Sequence, residues 1–264
     1  MRPPELPSVS NRPLYIYRVL AKWLSFFVFG LGTLVLVTIV FPPMRLVLHP
    51  RERFRKQGRR AVSFCMKSFV FFMQLIGALS LEAGSREKYR NLSSKIIVAN
   101  HPSLLDVVML ISLIPNADCI VNSALNQNVV RGVIRELYIL NSLVFDDLVS
   151  SCTESLSQGN CLIIFPEGTR TPRSGKGIIK KGAARIALAS GSNIVPIHIG
   201  GTDKYGLGKK DPWTGYNPRE RYVYSISMGS EINPYKYSGL SAARAARVLT
   251  TEFSAFLFPA KDEI

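Results

Sequence analysis

Residues 97–106 read IVANHPSLLD. An apolar run ends at Ala99 and is followed by Asn100, His101, a proline, a serine, two leucines and the carboxylate of Asp106. The pattern predicts a strand running into a tight turn that opens a helix. Proline is favoured at the first helical position, so Pro102 supports a helix start just after His101. Five positions along a regular helix is about 140° of rotation, so His101 and Asp106 meet only if the histidine lies in the turn and the aspartate one turn inside the helix. Asn100 is expected to satisfy the turn backbone. A neutral imidazole held by a carboxylate suits deprotonation of an alcohol near neutral pH. His101 is one of only three histidines among 264 residues.

Outward from this stretch, the same strand–helix alternation continues from about residue 91. Strands are expected at 95–99, 118–121, 138–140, 161–165, 193–199 and 221–227. Helices are expected at 106–114, 127–136, 148–159, 182–190 and 241–257, with Gly191 as a C-cap. The alternation argues an α/β layered sheet with flanking helices. Residues 204–218, rich in Gly, Lys, Asp and Pro, read as a surface loop. The buried run CLIIF delivers a second turn, Phe165-Pro166-Glu167-Gly168-Thr169-Arg170, at the carboxyl edge of the sheet, where α/β proteins place ligands. Arg170, Arg173, Lys176, Lys180 and Lys181 form a basic rim suited to phosphate. The bland alternative is a solvated Glu167–Arg170 ion pair of little energetic weight. Val195-Pro196-Ile197-His198 reads as a strand whose proline marks an edge or a bulge. His198 reads as a strand residue turned to one face, with a second site histidine as the alternative.

The first 90 residues differ in texture. They hold 15 Lys/Arg against 4 Asp/Glu, whereas residues 91–264 hold 18 against 14. The chain is 47% hydrophobic with a mean hydropathy of +0.15, oily for a soluble protein. A polar, proline-rich tail is expected over residues 1–13. Residues 23–41 carry no charge for 19 positions, about 28 Å of helix, and Pro42-Pro43 is expected to stop it. No small-residue cleavage site follows, which disfavours a signal peptide. A basic link (RERFRKQGRR) then leads to a second apolar segment over 61–81, whose clean part is 14 residues, short for a span. The two segments are expected to form a membrane-associated helical pair in one leaflet or an imperfect hairpin. Basic linkers resist translocation, which keeps the rest on the cytoplasmic face of the cell membrane. Two regions follow: a tail and membrane-associated helices over 1–90, and an α/β domain over 91–264. Basic residues around apolar runs, with no nucleic-acid motif, point to an anionic membrane surface rather than nucleic acid. Four cysteines without a C-x-x-C pair and three scattered histidines leave no framework for disulfides or a structural metal.

Taken together, the N-H-x4-D block at 100–106, the F-P-E-G-T-R block at 165–170 and the V-P-I block at 195–197 resemble the glycerolipid acyltransferase family, in its 1-acylglycerol-3-phosphate acyltransferase group. The likeness covers roughly residues 60–230. It implies that His101 takes the proton of an acceptor hydroxyl, held by Asp106. The alkoxide then attacks an acyl thioester of coenzyme A or acyl carrier protein, with no other cofactor, no metal and no covalent acyl-enzyme. Glu167, Gly168, Thr169 and Arg170 map onto the family's acceptor-binding block. Many members also carry an arginine between the two blocks that contacts the acceptor phosphate. Here the corresponding stretch, ELYILNS at 136–142, has Asn141 at that place. The phosphate ligand is then missing or comes from Arg131, Arg135 or Lys176. The acceptor is accordingly a lysophospholipid, or a different lipid such as an aryl-polyene lipid, glycolipid or ornithine lipid. The non-enzyme alternative is a membrane-binding homologue without turnover.

Overall fold

The computed structural model describes residues 8–121, 137–140, 144–173, 175 and 177–259. The helix expected over 127–136, together with Arg131, Arg135, Asn141 and Lys176, lies outside them.

Seven strands form one sheet: β1 (Leu79–Glu82), β2 (Ile96–Ala99), β3 (Ala117–Val121), β4 (Ile139–Leu140), β5 (Cys161–Ile164), β6 (Ile194–Gly201) and β7 (Tyr222–Met228). Their order is β1-β7-β6-β2-β5-β3-β4. All neighbours pair in parallel except β6 and β7. The helices are α1 (Arg12–Val35), α2 (Phe41–Val47), α3 (Arg51–Leu75), α4 (Glu87–Arg90), α5 (Asp106–Leu113), α6 (Phe145–Ser157), α7 (Gly182–Ser190) and α8 (Ala242–Leu257).

The central strands are apolar on both faces because both are covered. Ile97, Ala99 and Ile163 bury against α3 and α5. Their neighbours Ile96, Val98, Leu162 and Ile164 point the other way, onto α6, α7 and α8. Phe253 of α8 is fully buried in that second layer. Truncation to alanine there is expected to cost about 3–5 kcal/mol, read as a lowered denaturation midpoint. The layered α/β architecture expected from the alternation is therefore the one observed. Gly191, in the left-handed region at φ +66°, caps α7 as anticipated.

Four local expectations change. The first helix begins at Arg12, inside the stretch read as a tail, because Asn11 accepts from Leu14 N–H at 3.0 Å and Pro13 fits the first turn. It also does not stop at Pro42-Pro43. A π-helical turn over Leu36–Val40 breaks the regular bond pattern just before the prolines, which then stand in the first turn of α2. Helix therefore runs from Arg12 to Val47, 36 residues. Third, RERFRKQGRR is not a link but the first half of α3. Phe54, Gly58, Val62, Phe69, Val70 and Met73 bury one stripe of that helix, and Ser63 Oγ donates to the Ile111 carbonyl of α5 at 2.7 Å. Fourth, the end of the second apolar segment is strand β1, paired in parallel with β7.

Helices α1 and α3 do form a pair, and it is antiparallel. Tyr17 OH donates to Ile76 O, Phe29 meets Phe69 at 5.2 Å, and Phe41 meets Phe54 at 5.8 Å. Pro196 stands in an interior strand, not at an edge. Ile197 pairs with Met228 and Ile194 bridges Ile232, so three residues face two: a one-residue bulge opposite Val195-Pro196. The four cysteines are unpaired, and three are buried.

Candidate active site

Strands β2 and β5 are neighbours, with Val98 in register with Ile164. Their carboxyl ends therefore place the turn after Ala99 beside the turn after Ile164. The two blocks of sequence, more than 60 residues apart, become one site.

His101 sits in the first turn and Asp106 opens α5. His101 Nδ1 lies 2.7 Å from Asp106 Oδ2. Oδ2 also accepts from Ser103 N–H at 2.7 Å, and Oδ1 accepts from Ser103 Oγ–H at 2.6 Å. Asp106 is fully buried, and these three donors compensate its charge. A carboxylate accepts only, so Nδ1 carries the proton and Nε2 presents a lone pair. The Phe165 ring stacks on the imidazole at 4.2 Å and 24°, fixing its plane.

Behind the carboxylate runs a second layer of polar contacts. Ser103 has one hydroxyl proton, and it goes to Asp106. The Tyr224 hydroxyl, 2.7 Å from Ser103 Oγ, is therefore the donor of that contact. Complete burial holds the Tyr224 phenol well above its usual range, so it stays a donor. Lys204 lies over the Tyr224 ring at 4.7 Å and donates to the carbonyls of Gly200, Thr202 and Val223. Burial lowers its ammonium to about 8. Ser103-x-x-Asp106 is a capping-box spacing ahead of an apolar run, a signal that could have found Ser103 from sequence. Nothing local points to Tyr224 or Lys204.

Asn100 does not serve the turn. Its Nδ2 donates to Ile199 O at 2.9 Å and its Oδ1 accepts from Ile199 N–H at 2.7 Å, which clamps β2 to β6 just below His101. Glu167 is buried and does not pair with Arg170. Its Oε1 accepts from the Thr171 hydroxyl at 2.6 Å and from His101 N–H at 3.2 Å. Thr171 N–H donates back to His101 O at 2.6 Å. Glu167 thus ties one turn to the other. Burial raises its carboxyl above the usual range, and Oε2 has no partner among the described residues. Gly168 turns the chain at φ +67°, where a Cβ would stand 2.7 Å from Lys180 Nζ. Thr169 is exposed at the tip of the turn.

Arg170 Nη1 donates to the carbonyls of Leu207 and Gly208 at 2.9 and 3.0 Å. The stretch read as a free surface loop is therefore anchored: Leu207, Tyr216 and Asn217 are buried, and Leu207 O also accepts from Leu104 N–H. Its far end is tied to α1, where the fully buried Lys22 donates to the carbonyls of Trp213 and Gly215, both at 2.5 Å. The basic rim is smaller than expected. Arg173 pairs with Asp203 at 2.8 and 2.5 Å and approaches Asp211 at 3.6 Å. His198 lies away from the site, its Nδ1 2.8 Å from Leu257 O in α8.

A pocket of about 230 Å³ reaches Pro102, the residue after His101, and is lined further by Thr171, Arg173, Gly200, Thr202 and Lys204 among others. No cluster of three or more metal-ligating side chains occurs among the described residues.

The family model described as Acyltransferase matches residues 80–200. The chloroplastic 1-acyl-sn-glycerol-3-phosphate acyltransferase LPAT1 of Arabidopsis thaliana is 31% identical over 115 residues, 41% of this chain and 32% of that protein. The match thus spans about a third of that relative's length. The 1-acyl-sn-glycerol-3-phosphate acyltransferase of Helicobacter pylori (strain J99) is 29% identical over 224 residues, 81% of this chain and 83% of that protein. The crystal structure of PlsC, the 1-acyl-sn-glycerophosphate (LPA) acyltransferase of Thermotoga maritima, has the same fold, with a TM-score of 0.65 at 20% identity over 91% of this chain and 96% of that one.

Proposed function

We propose that the protein, whose residues 80–200 match the Acyltransferase family model, transfers a fatty acyl group from an acyl thioester to the hydroxyl of a lysophospholipid such as 1-acylglycerol-3-phosphate. The observation that carries this reading is the His101–Asp106 pair at 2.7 Å, with Nδ1 committed to the carboxylate and the ring partly exposed. Nε2 takes the acceptor's hydroxyl proton as its oxygen attacks the thioester carbonyl. The C–O bond forms, the C–S bond breaks, and the proton passes from His101 to the departing thiolate. The donor is acyl-coenzyme A or acyl carrier protein. Two substrates held in line supply part of the rate by orientation.

Arg170 is the acceptor's phosphate ligand in this reading. Among the described residues only its Nη1 is engaged, by two carbonyls, which leaves Nε and Nη2 for the phosphate. Arg170→Ala is expected to raise the acceptor KM by about 10–100-fold, the equivalent of one charged hydrogen bond. A thiol-release assay over a panel of acceptors tests both points. An unchanged acceptor KM would remove Arg170 as a ligand, and no release with any lysophospholipid would overturn the proposed substrate. Asn141, standing where relatives of this type are expected to have an arginine, favours a second reading in which an aryl-polyene lipid, glycolipid or ornithine lipid is the acceptor. The same panel separates the two.

The protein works at the cytoplasmic face of the membrane, seated by α1 and α2. Ile16, Leu20, Phe27 and Leu31 line an exposed apolar stripe at helical spacing, and only 17% of the helix's most apolar window is buried. Its opposite face packs on α3, which in turn packs on α5, so the helix is held against the α/β layer in one leaflet. Carbonate extraction should leave the wild-type chain in the pellet and release a Leu20→Glu/Phe27→Glu/Leu31→Glu variant. Full release of the wild type would sink the anchoring role.

A further inference from the structure

A second concavity, about 340 Å³, lies at the other end of α5 from Asp106, about 10 Å along that helix. It shares no lining residue with the pocket that reaches Pro102. Its floor is apolar, built by Val70, Leu81 and Leu113, and Phe64 and Phe71 stand at its edge. Phe64 and Phe71 lie seven residues apart on one face of α3 and are 70% and 65% exposed. Two open phenylalanines on the outer face of a helix whose inner face is core are unusual in a surface that meets only water.

The rim of the groove is cationic. Lys67 stands between the two phenylalanines on α3, while Arg86 and Arg90 rise from α4 and the residue before it. Among the described residues none of the three has a carboxylate partner. Arg86 and Arg90 are four apart, which makes like charges neighbours on one helical face and costs stability unless an anion sits between them. An apolar floor with three unpaired cations at its edge matches one kind of molecule, an amphiphile with a single anionic head.

We propose that this groove binds one anionic phospholipid drawn from the membrane, its chain on Phe64 and Phe71 and its phosphate between Lys67, Arg86 and Arg90. Basic pockets against membrane-seated helices recognise phospholipid head groups in this way. The groove's concavity favours a lipid over an acidic carrier protein, which would dock on a flatter patch. Such a lipid would tether the end of the domain remote from the catalytic turn and is distinct from the acyl acceptor.

The test uses the full-length chain in detergent, incubated with equal amounts of phosphatidylglycerol and phosphatidylcholine, with the lipid that co-elutes quantified by mass spectrometry. The wild type should retain about one phosphatidylglycerol per chain and little phosphatidylcholine. Lys67→Gln/Arg86→Gln/Arg90→Gln should lower phosphatidylglycerol retention at least tenfold. Lys236→Gln/Arg244→Gln/Arg247→Gln, which removes as many exposed charges elsewhere, should leave it unchanged. Equal retention of both lipids by the wild type would overturn the proposal, as would full phosphatidylglycerol retention by the groove variant. Displacement of the lipid by millimolar inorganic phosphate would also overturn it, since a free anion would then suffice. So would lost binding of acyl carrier protein by a groove variant that still retains phosphatidylglycerol. Retention is read without turnover, so it stands or falls separately from the catalytic reading.

Discussion

A His101→Ala protein is expected to lose acyl transfer by about 10²–10⁴-fold, with the protein folded and its binding of acceptor and thioester little changed. In the proposed mechanism the loss falls on kcat, because there the imidazole acts only as the hydroxyl proton moves. The fold should survive because the histidine ring lies partly open, its side chain 18% exposed, whereas the atoms joining the two turns are its backbone N–H and carbonyl. Alanine keeps those backbone bonds. Near-normal turnover in the alanine variant, measured as thiol release with both substrates saturating, would refute the base assignment.

Asp106→Asn should reach the upper end of that range, with a loss of about 10⁴-fold in kcat, through a different route. The carboxylate now accepts from three donors: His101 Nδ1–H, Ser103 N–H and Ser103 Oγ–H. An asparagine of the same shape has one acceptor oxygen and an NH₂. With its oxygen at the Oδ1 place, accepting from Ser103 Oγ–H, the amide stands at the Oδ2 place, where it donates toward Nδ1 and opposes the Ser103 N–H. That forces the imidazole proton to Nε2, where it blocks the lone pair a base needs. The two variants differ in a way that can be measured. Nitrogen NMR on labelled histidine should report the swapped tautomer in Asp106→Asn, and unchanged kcat or an unchanged tautomer would sink the positioning role. Lost hydrogen bonds at a fully buried site should also cost about 1–3 kcal/mol of stability, read by chemical denaturation.

Much of the α/β layer was legible. Strands over 95–99, 161–165, 193–199 and 221–227 fall within one or two residues of those observed, because each is a short apolar or alternating run bounded by turn residues. The left-handed cap at Gly191 follows from residue chemistry that acts within one turn of chain, whereas the helix expected to open at Pro102 begins only at Asp106. Where a local signal pointed two ways, it misled. Pro42-Pro43 ordinarily ends a helix, and here a π turn carries the chain through. The apolar residues 79–81 continue a hydrophobic segment in sequence, but they pair with a strand more than 140 residues later.

The residues of the candidate site and their local setting are written in the sequence alone: a histidine in a strand-ending turn, an aspartate five residues on at the start of a helix, and a second turn with Glu167 and Arg170. Local spacing is enough for this, since His101 and Asp106 are joined by five residues of chain with only a few conformations open to them. What the tertiary structure decided is the set of partners that hold these groups. Strand order alone puts β5 beside β2, so that Glu167 reaches His101 N–H, and puts β6 and β7 close enough for Ile199, Tyr224 and Lys204 to back the site. The same order turns Arg170 toward Leu207 and Gly208 and ties their loop to Lys22 of α1. Periodicity reports which face of each element is apolar. It carries no information on which element that face will meet, because the choice depends on burying all the faces at once.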